Sequence, residues 1–241
     1  MAPRSGGVMS KASVLVVVPA FNEEESLAAT LDELARTTRA DVLVVDDGSR
    51  DHTSGIARQH DVHVLRHAVN LGVGAALQTG FRYALERGYD IAVQLDADGQ
   101  HDPAYLESLV EPVASGAADV AIGSRYVART GYRAPRARRL GMVVFSTIVR
   151  LGIGRRIADT TSGFRAYGRA VMEVCQHDFP QDFPDAPLLI TLARMGFRTC
   201  EVPVEMRERG AGRSFYTLGK SLYYPYKNVL ASLMALLRRS A

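Results

Sequence analysis

The chain has 241 residues, of which 47% are hydrophobic and 23% charged. This composition excludes a disordered chain and suits one large domain, or a domain with a C-terminal appendage. The net charge is only +3, and no segment approaches the roughly 18 consecutive apolar residues that a membrane-spanning helix requires.

Apolar segments of strand length alternate with segments of helical periodicity. The predicted strands cover residues 13–19, 41–45, 62–65, 91–95, 120–123 and 197–204. The predicted helices cover residues 23–36, 52–59, 75–86, 103–114, 168–175 and 187–195, and a polar loop at 159–165 precedes the fifth helix. This alternation predicts an α/β fold with a mostly parallel sheet, in which ligands bind at the C-terminal ends of the strands.

The most informative loop follows the fourth predicted strand and reads Gln-Leu-Asp-Ala-Asp-Gly-Gln-His-Asp-Pro at 94–103. Its two carboxylates, Asp96 and Asp98, suit a hard divalent cation, which prefers oxygen ligands and bridges a carboxylate to a substrate phosphate. Gln100 adds a neutral oxygen two positions further on. A plain surface turn is the structural alternative, because Asp and Gly are common turn residues. An EF-hand is excluded because His101 stands where that loop requires Gly, and because a strand precedes it.

Two other binding classes are disfavoured. The Gly-Val-Gly segment at 72–74 resembles the start of a dinucleotide fingerprint, but the sixth position is Leu77 and the segment follows the third strand rather than the first. A nucleic-acid partner is not expected either, because the chain lacks the aromatic platforms and recognisable modules of such binders. The two cysteines, Cys175 and Cys200, have no metal-like or redox-like spacing, which favours free thiols in a reducing compartment.

Positive charge is concentrated in two segments. Residues 120–158 contain nine Arg and no acid, and residues 209–241 contain six Lys and Arg and no acid. Together they carry +15, which leaves −12 for the rest of the chain. Basic segments of this kind bind phosphates. An apolar stretch at 140–153 lies within the first segment and tyrosines lie within the second, a pattern typical of helices at a membrane interface.

Six motifs, taken together and in this order, resemble family 2 glycosyltransferases of the GT-A fold. Among these the chain is similar to polyprenyl-phosphate sugar transferases of the dolichyl-phosphate mannose synthase and bactoprenol glucosyltransferase type. The motifs are Val-Pro-Ala-Phe-Asn-Glu-Glu at 18–24, Val-Asp-Asp-Gly-Ser at 45–49, Asn-Leu-Gly at 70–72, Leu-Asp-Ala-Asp-Gly-Gln at 95–100, Gly-Ser-Arg-Tyr at 123–126 and Thr-Ser-Gly-Phe-Arg at 161–165. The resemblance runs from Val14 to about Ser214.

The predicted division of the chain is a disordered tail at 1–10, a catalytic domain at 11–214 with a basic amphipathic insertion at about 136–157, and a C-terminal amphipathic membrane-interface segment at 215–241. The resemblance implies which residues bind the nucleotide donor: Pro19, Phe21, Glu23, Asp46, Asp47, Asp96, Ala97 and Asp98. Asp96 and Asp98, with Gln100, would hold Mg²⁺ or Mn²⁺ against the donor diphosphate, where a metal neutralises the charge of the departing nucleoside diphosphate.

The nucleophile implied by the resemblance is an oxygen of a lipid monophosphate. Because the second pKa of such a group is about 6, it is ionised near pH 7 and needs a cationic cradle more than a general base. Arginine suits that cradle because its planar fork binds phosphate bidentately. The residues assigned to the acceptor phosphate are Arg125, Arg139, Ser162, Arg165, Arg207, Arg209 and Ser214, and Arg125 and Arg139 join Asp96 and Asp98 as the catalytic set.

The sequence therefore predicts a metal-dependent, inverting glycosyltransferase that moves a sugar from a nucleotide-diphosphate donor to a polyprenyl phosphate. It is expected to be cytoplasmic and peripheral on the inner face of the cell membrane, held there by its interfacial helices or by a small integral-membrane partner. Two alternatives stay open. One is a glycosyltransferase acting on a glycan hydroxyl, with Asp185 as the base, and the other is a non-catalytic nucleotide-sugar sensor.

Overall fold

A seven-stranded sheet forms the centre of the computed structural model, which describes residues 12–127, 157–177, 179–180, 186–207 and 234. The strands are β1 (Val14–Ala20), β2 (Asp41–Asp46), β3 (His63–Arg66), β4 (Ile91–Gln94), β5 (Val120–Ser124), β6 (Arg165–Gly168) and β7 (Thr199–Pro203). They lie in the order β3-β2-β1-β4-β6-β5-β7. All the pairings are parallel except those of β6, which runs antiparallel to both β4 and β5. The predicted mostly parallel α/β sheet is confirmed.

Helices cover both faces of this sheet. They are α1 (Leu27–Thr37), α2 (Thr53–Ala57), α3 (Val73–Glu86), α4 (Leu106–Ala114), α5 (Arg169–Cys175) and α6 (Ala186–Arg194), and a 3₁₀ turn (Pro103–Tyr105) precedes α4. Because successive side chains of a strand point to opposite faces, Leu15 and Val17 pack under α3, α5 and α6, whereas Val16 and Val18 pack under α1 and α4. Burial on both faces explains why β1 is an uninterrupted apolar run.

The parallel register brings three strand ends to one edge. Ala20 at the end of β1 pairs with Asp46 at the end of β2, and Val17 pairs with Gln94 at the end of β4. The loops that follow these strands therefore start side by side, as expected for the ligand-binding edge of an open α/β sheet.

Strand β6 is the element that the sequence prediction missed. The sequence reading placed a polar loop at 159–165 directly before a helix, whereas the structure places Arg165–Gly168 as an antiparallel strand between β4 and β5. A strand of four residues that begins with Arg shows no clear periodicity. This strand matters for the site, because the pairing of Arg165 with Gln94 places the loop before β6 next to the Asp96–Asp98 turn.

Several predicted segments lie outside the described residues. These are the N-terminal tail at 1–10, the apolar stretch at 140–153 with nearly all of the basic insertion around it, and all but Met234 of the C-terminal segment at 215–241. The amphipathic interfacial helices and the domain boundaries therefore stay predictions. Within the part of the chain that the structure describes, no helix is long and apolar enough to cross a membrane.

Candidate active site

The loops that follow β1 and β2 are joined by hydrogen bonds. The backbone N–H of Asn22 donates to Ser49 Oγ at 2.9 Å, and the Asn22 side chain accepts from the backbone N–H of Arg50 at 2.9 Å. The backbone N–H of Glu23 donates to Thr53 Oγ1 at 2.9 Å. The predicted donor residues Pro19, Phe21 and Glu23 lie in or beside the first of these loops, all partly exposed.

Asp46 and Asp47, which are predicted to contact the donor, each bind backbone N–H groups of nearby loops. Asp46 is fully buried, accepts from the backbone N–H of Ser49 at 2.8 Å, and also binds Ser54 Oγ. Asp47 is almost as buried, and its carboxylate accepts from the backbone N–H groups of Leu71 at 2.9 Å and of the next residue at 2.8 Å. Both carboxylates thus fix loop backbone in this structure, and direct contact with a donor stays a prediction.

These contacts also explain two of the sequence motifs. Gly48 has a φ of +73°, which favours glycine, and a Cβ there would stand 2.6 Å from the carbonyl carbon of Val69. The Asp-Asp-Gly-Ser turn is therefore in close contact with the Asn-Leu-Gly segment through both Gly48 and Asp47, and the two motifs form one structural unit.

The Asp96–Asp98 turn lies at the end of β4, as predicted. Asp98 Oδ1 accepts from the backbone N–H of Gln100 at 3.1 Å, across Gly99 with its φ of +74°. Thr30 of α1 donates to the carbonyl of Ala97 at 3.1 Å, and this bond connects the turn to α1. Ala97 itself is buried.

Asp96 is held at both carboxylate oxygens. Oδ1 lies 3.5 Å from Gln94 Nε2, and Oδ2 lies 3.1 Å from His101 Nε2. The side chain keeps 37% of its surface exposed. Shielding from water opposes ionisation, but the hydrogen bonds from His101 and Gln94, together with the charge of Arg165, hold the pKa of Asp96 below its usual value. The carboxylate is therefore ionised at neutral pH, as metal ligation requires.

The residues of the turn fit a divalent cation bound jointly with substrate. Among the described residues there is no group of three or more His, Cys, Asp and Glu that would hold a metal by itself. Asp96 and Asp98 supply two carboxylates, and Gln100 supplies an amide oxygen. Mg²⁺ is commonly bound in this way, through one or two carboxylates, with substrate phosphates and waters completing its octahedron.

The loop before β6 packs against the Asp96–Asp98 turn. Ser162 is buried, and its Oγ accepts from the backbone N–H of Phe164 at 3.3 Å. Gly163 stands against the carboxylate of Asp96, where a Cβ would lie 2.8 Å from both Cγ and Oδ1. Glycine in the Thr-Ser-Gly-Phe-Arg motif thus makes room for a candidate metal ligand.

Gly163→Ala is expected to weaken Mn²⁺ binding about tenfold, the lower end of what a displaced supporting contact costs. The added methyl group would push the Asp96 carboxylate off its position, and electron paramagnetic resonance of free Mn²⁺ measures the affinity. Gly55→Ala is the matched control, because a Cβ at Gly55 meets nothing within 4 Å. Equal affinities for both variants and the wild-type chain would contradict the prediction.

Two of the arginines predicted for the acceptor phosphate, Arg125 and Arg165, bind other parts of the protein. Arg125 binds Asp159 through two parallel bonds, Nε to Oδ2 at 2.7 Å and Nη2 to Oδ1 at 2.8 Å. Arg165 is buried, and its Nη2 donates to the carbonyl of Thr160 at 2.8 Å. Both side chains hold the loop before β6, and their role at an acceptor phosphate stays a prediction.

Arg207 is also paired. Its guanidinium lies 2.8 Å from Glu33 Oε2 and 2.8 Å from Asp102 Oδ2, and its backbone N–H donates to the carbonyl of Gln100 at 2.9 Å. The pKa of Arg207 is raised, chiefly by its hydrogen bond to Glu33. The chain leaving β7 therefore passes directly beside the candidate metal turn. The remaining predicted residues, Arg139, Arg209 and Ser214, and the alternative base Asp185, lie outside the described residues.

Three residues at the site were not predicted: His101, Asp159 and Gly163. His101 was considered only as a residue that excludes an EF-hand, and Gly163 only as part of a motif. Asp159 is the first acid after the acid-free segment 120–158. This position could have identified it as a partner for Arg125.

Comparison with known proteins agrees with this architecture. Residues 15–175 match the family described as glycosyl transferase family 2. The chain is 37% identical over 211 residues to an undecaprenyl-phosphate mannosyltransferase of Micrococcus luteus, covering 83% of this chain and 86% of that protein. It is also 37% identical over 211 residues to a polyprenol monophosphomannose synthase of Mycolicibacterium smegmatis, covering 83% and 79%.

Solved structures agree in fold. Glucosyl-3-phosphoglycerate synthase from Mycobacterium tuberculosis, in complex with Mn²⁺ and UDP-glucose, superimposes with a TM-score of 0.70 at 22% identity, covering 97% of this chain and 84% of that one. At this identity the likeness shows that the two chains share a fold, that of GT-A glycosyltransferases.

Proposed function

The chain belongs to glycosyl transferase family 2, and we propose that it transfers a sugar from a nucleotide-diphosphate donor to a polyprenyl phosphate in a divalent-metal-dependent reaction. The observation that carries the proposal is the Asp96–Asp98 turn at the C-terminal edge of the sheet, where the Asp96 carboxylate is ionised and held by hydrogen bonds. The names of the relatives from Micrococcus luteus and Mycolicibacterium smegmatis support the lipid acceptor.

The proposed site residues lie in two loop regions, one for the nucleotide and one for the metal and the donor diphosphate. The partly exposed residues Pro19, Phe21 and Glu23 would line the donor nucleotide, and Asp96, Asp98 and Gln100 would hold Mg²⁺ or Mn²⁺ at its diphosphate. A bound divalent cation supplies charge stabilisation for the departing nucleoside diphosphate. By analogy with the family, an acceptor phosphate oxygen forms the new bond to the anomeric carbon as the bond to the donor diphosphate breaks, which inverts the configuration.

The cationic cradle for the acceptor phosphate is assigned to Arg139, Arg209 and Ser214. This assignment is supported by the pairing of Arg125 and Arg207 with acids and by the burial of Arg165. The two basic segments at 120–158 and 209–241 would place the enzyme at anionic lipid on the inner face of the cell membrane, alone or with a small integral-membrane partner.

The test is transfer from GDP-mannose, UDP-glucose and UDP-N-acetylglucosamine to undecaprenyl phosphate, each with Mg²⁺, with Mn²⁺ and with EDTA. We expect one donor to yield a lipid-linked sugar, detected by mass spectrometry, only when metal is present. Donor turnover with glycan acceptors and no lipid product would overturn the lipid acceptor. Donor binding without turnover under any condition would favour the sensor instead.

A further inference from the structure

The imidazole of His101 lies directly behind the carboxylate of Asp96. Its side chain is only 4% exposed, and its Nε2 lies 3.1 Å from Asp96 Oδ2. The ring also packs against Phe164, with 5.3 Å between the ring centroids and a tilt of 31°. The histidine therefore contacts the candidate metal ligand from the protein side and does not face the substrate.

The other ring nitrogen of His101 identifies the tautomer. Nδ1 is buried and has no hydrogen-bond partner among the described residues. A buried N–H without a partner is destabilising, and the nitrogen that faces a carboxylate must donate. The tautomer with hydrogen on Nε2 satisfies both conditions. His101 in this form donates its Nε2–H to the Asp96 carboxylate.

The opposite oxygen of Asp96 is held by a similar arrangement. Gln94 Nε2 lies 3.5 Å from Oδ1, and the Gln94 amide oxygen accepts in turn from Tyr167 Oη at 3.2 Å. Two donors, one on β4 and one on the loop after it, therefore contact the two oxygens of one carboxylate. Gly163 lies against the same carboxylate, so that Gln94, His101 and Gly163 together restrict the conformation of the Asp96 side chain.

The backbone of His101 is fixed independently of its ring. It forms an isolated antiparallel bridge with Met206, next to the hydrogen bond between Arg207 N–H and the carbonyl of Gln100. This pairing joins the end of the candidate metal turn to the chain leaving β7. A side-chain substitution at position 101 therefore changes the bond to Asp96 while these backbone contacts keep the turn in place.

We propose that His101 is a positioning residue of the metal site, which fixes the Asp96 carboxylate in the orientation for binding the cation through the Nε2–H bond. The inference rests on the proposed function in one respect, the role of Asp96 as a metal ligand. Removing a supporting hydrogen bond of this kind typically lowers metal affinity by about 10- to 100-fold.

The test compares Mn²⁺ binding to the full chain and to two variants by electron paramagnetic resonance of the free ion, with and without UDP. His101→Phe keeps an aromatic ring against Phe164 and removes the donor, and we expect it to weaken Mn²⁺ binding by about 10- to 100-fold. His101→Gln keeps an N–H donor within reach of Asp96, and we expect its affinity to stay within about threefold of wild type, since the bond is retained. Urea unfolding midpoints of all three chains establish that they are folded.

The outcomes separate this inference from the proposed function. Equal Mn²⁺ affinity in all three chains, or equal losses in both folded variants, would overturn the positioning role. Wild-type chain that binds no Mn²⁺ would overturn both proposals together. Mn²⁺ affinities in the expected order, with no transfer to a lipid, would support the positioning role and overturn only the acceptor. His101→Met provides a second variant without a donor if the phenylalanine variant does not fold.

Discussion

Asp98→Ala is expected to lower metal-dependent sugar transfer by about a thousandfold. The reason is that a bound cation stabilises transition-state charge by several kcal/mol, and each 1.36 kcal/mol is a factor of ten in rate. Asp98 is partly exposed at the tip of the turn, and its Oδ1 accepts a hydrogen bond from the nearby backbone N–H of Gln100. The substitution should therefore remove a ligand with little effect on the fold. Single-turnover transfer at saturating Mg²⁺ measures the loss.

Asp102→Asn is the matched control for this substitution. It removes the same charge from the same loop, but Asp102 caps the following turn through the backbone N–H of Ala104 and pairs with Arg207. Transfer by this variant should stay within about tenfold of wild type, because a partly exposed ion pair contributes little. A wild-type enzyme whose activity survives EDTA, or an active Asp98→Ala variant, would contradict the assignment of the metal site.

The sequence located the Asp96–Asp98 turn at a strand end because the pattern that marks it is local, and its role as a metal site stays a prediction. Two carboxylates and an amide lie within five residues, and the preceding apolar run places them at a strand end whatever the remaining topology. The same reasoning located the turn at Asp46 and Asp47. It could not tell which way their carboxylates point, because that depends on Ser54, Leu71 and Gly72, which reach the turn only in the folded chain.

The internal pairing of Arg125 could not be predicted from the sequence for a related reason. Nine arginines without an intervening acid suggested unpaired charge in residues 120–158. A charge can, however, be paired by a residue far away in the sequence. Because β6 lies beside β5, the loop before β6 brings Asp159 to Arg125. Glu201 of β7 then holds the backbone N–H of Asp159 at 2.9 Å. None of these pairings is visible without the antiparallel strand, which is only four residues long.

Asp159→Ala is expected to cost about 3–5 kcal/mol in the free energy of unfolding, because it leaves a mostly buried Arg without its partner. The side chain of Asp159 is 0% exposed and that of Arg125 only 13% exposed. Removing both charges in a double Asp159→Leu, Arg125→Met variant should destabilise less than the sum of the single changes, since neither charge is then left alone. Urea unfolding of the four chains measures this coupling.

The pair between Arg198 and Asp119 provides the control, because it has the same two-bond geometry at the surface. Its bonds measure 3.1 Å each, with the side chains 54% and 29% exposed. Asp119→Ala should cost clearly less than Asp159→Ala, because water screens exposed pairs. Equal costs would mean that burial does not strengthen the Arg125 pair. That result would favour the role of Arg125 at an acceptor phosphate, which the sequence alone suggested.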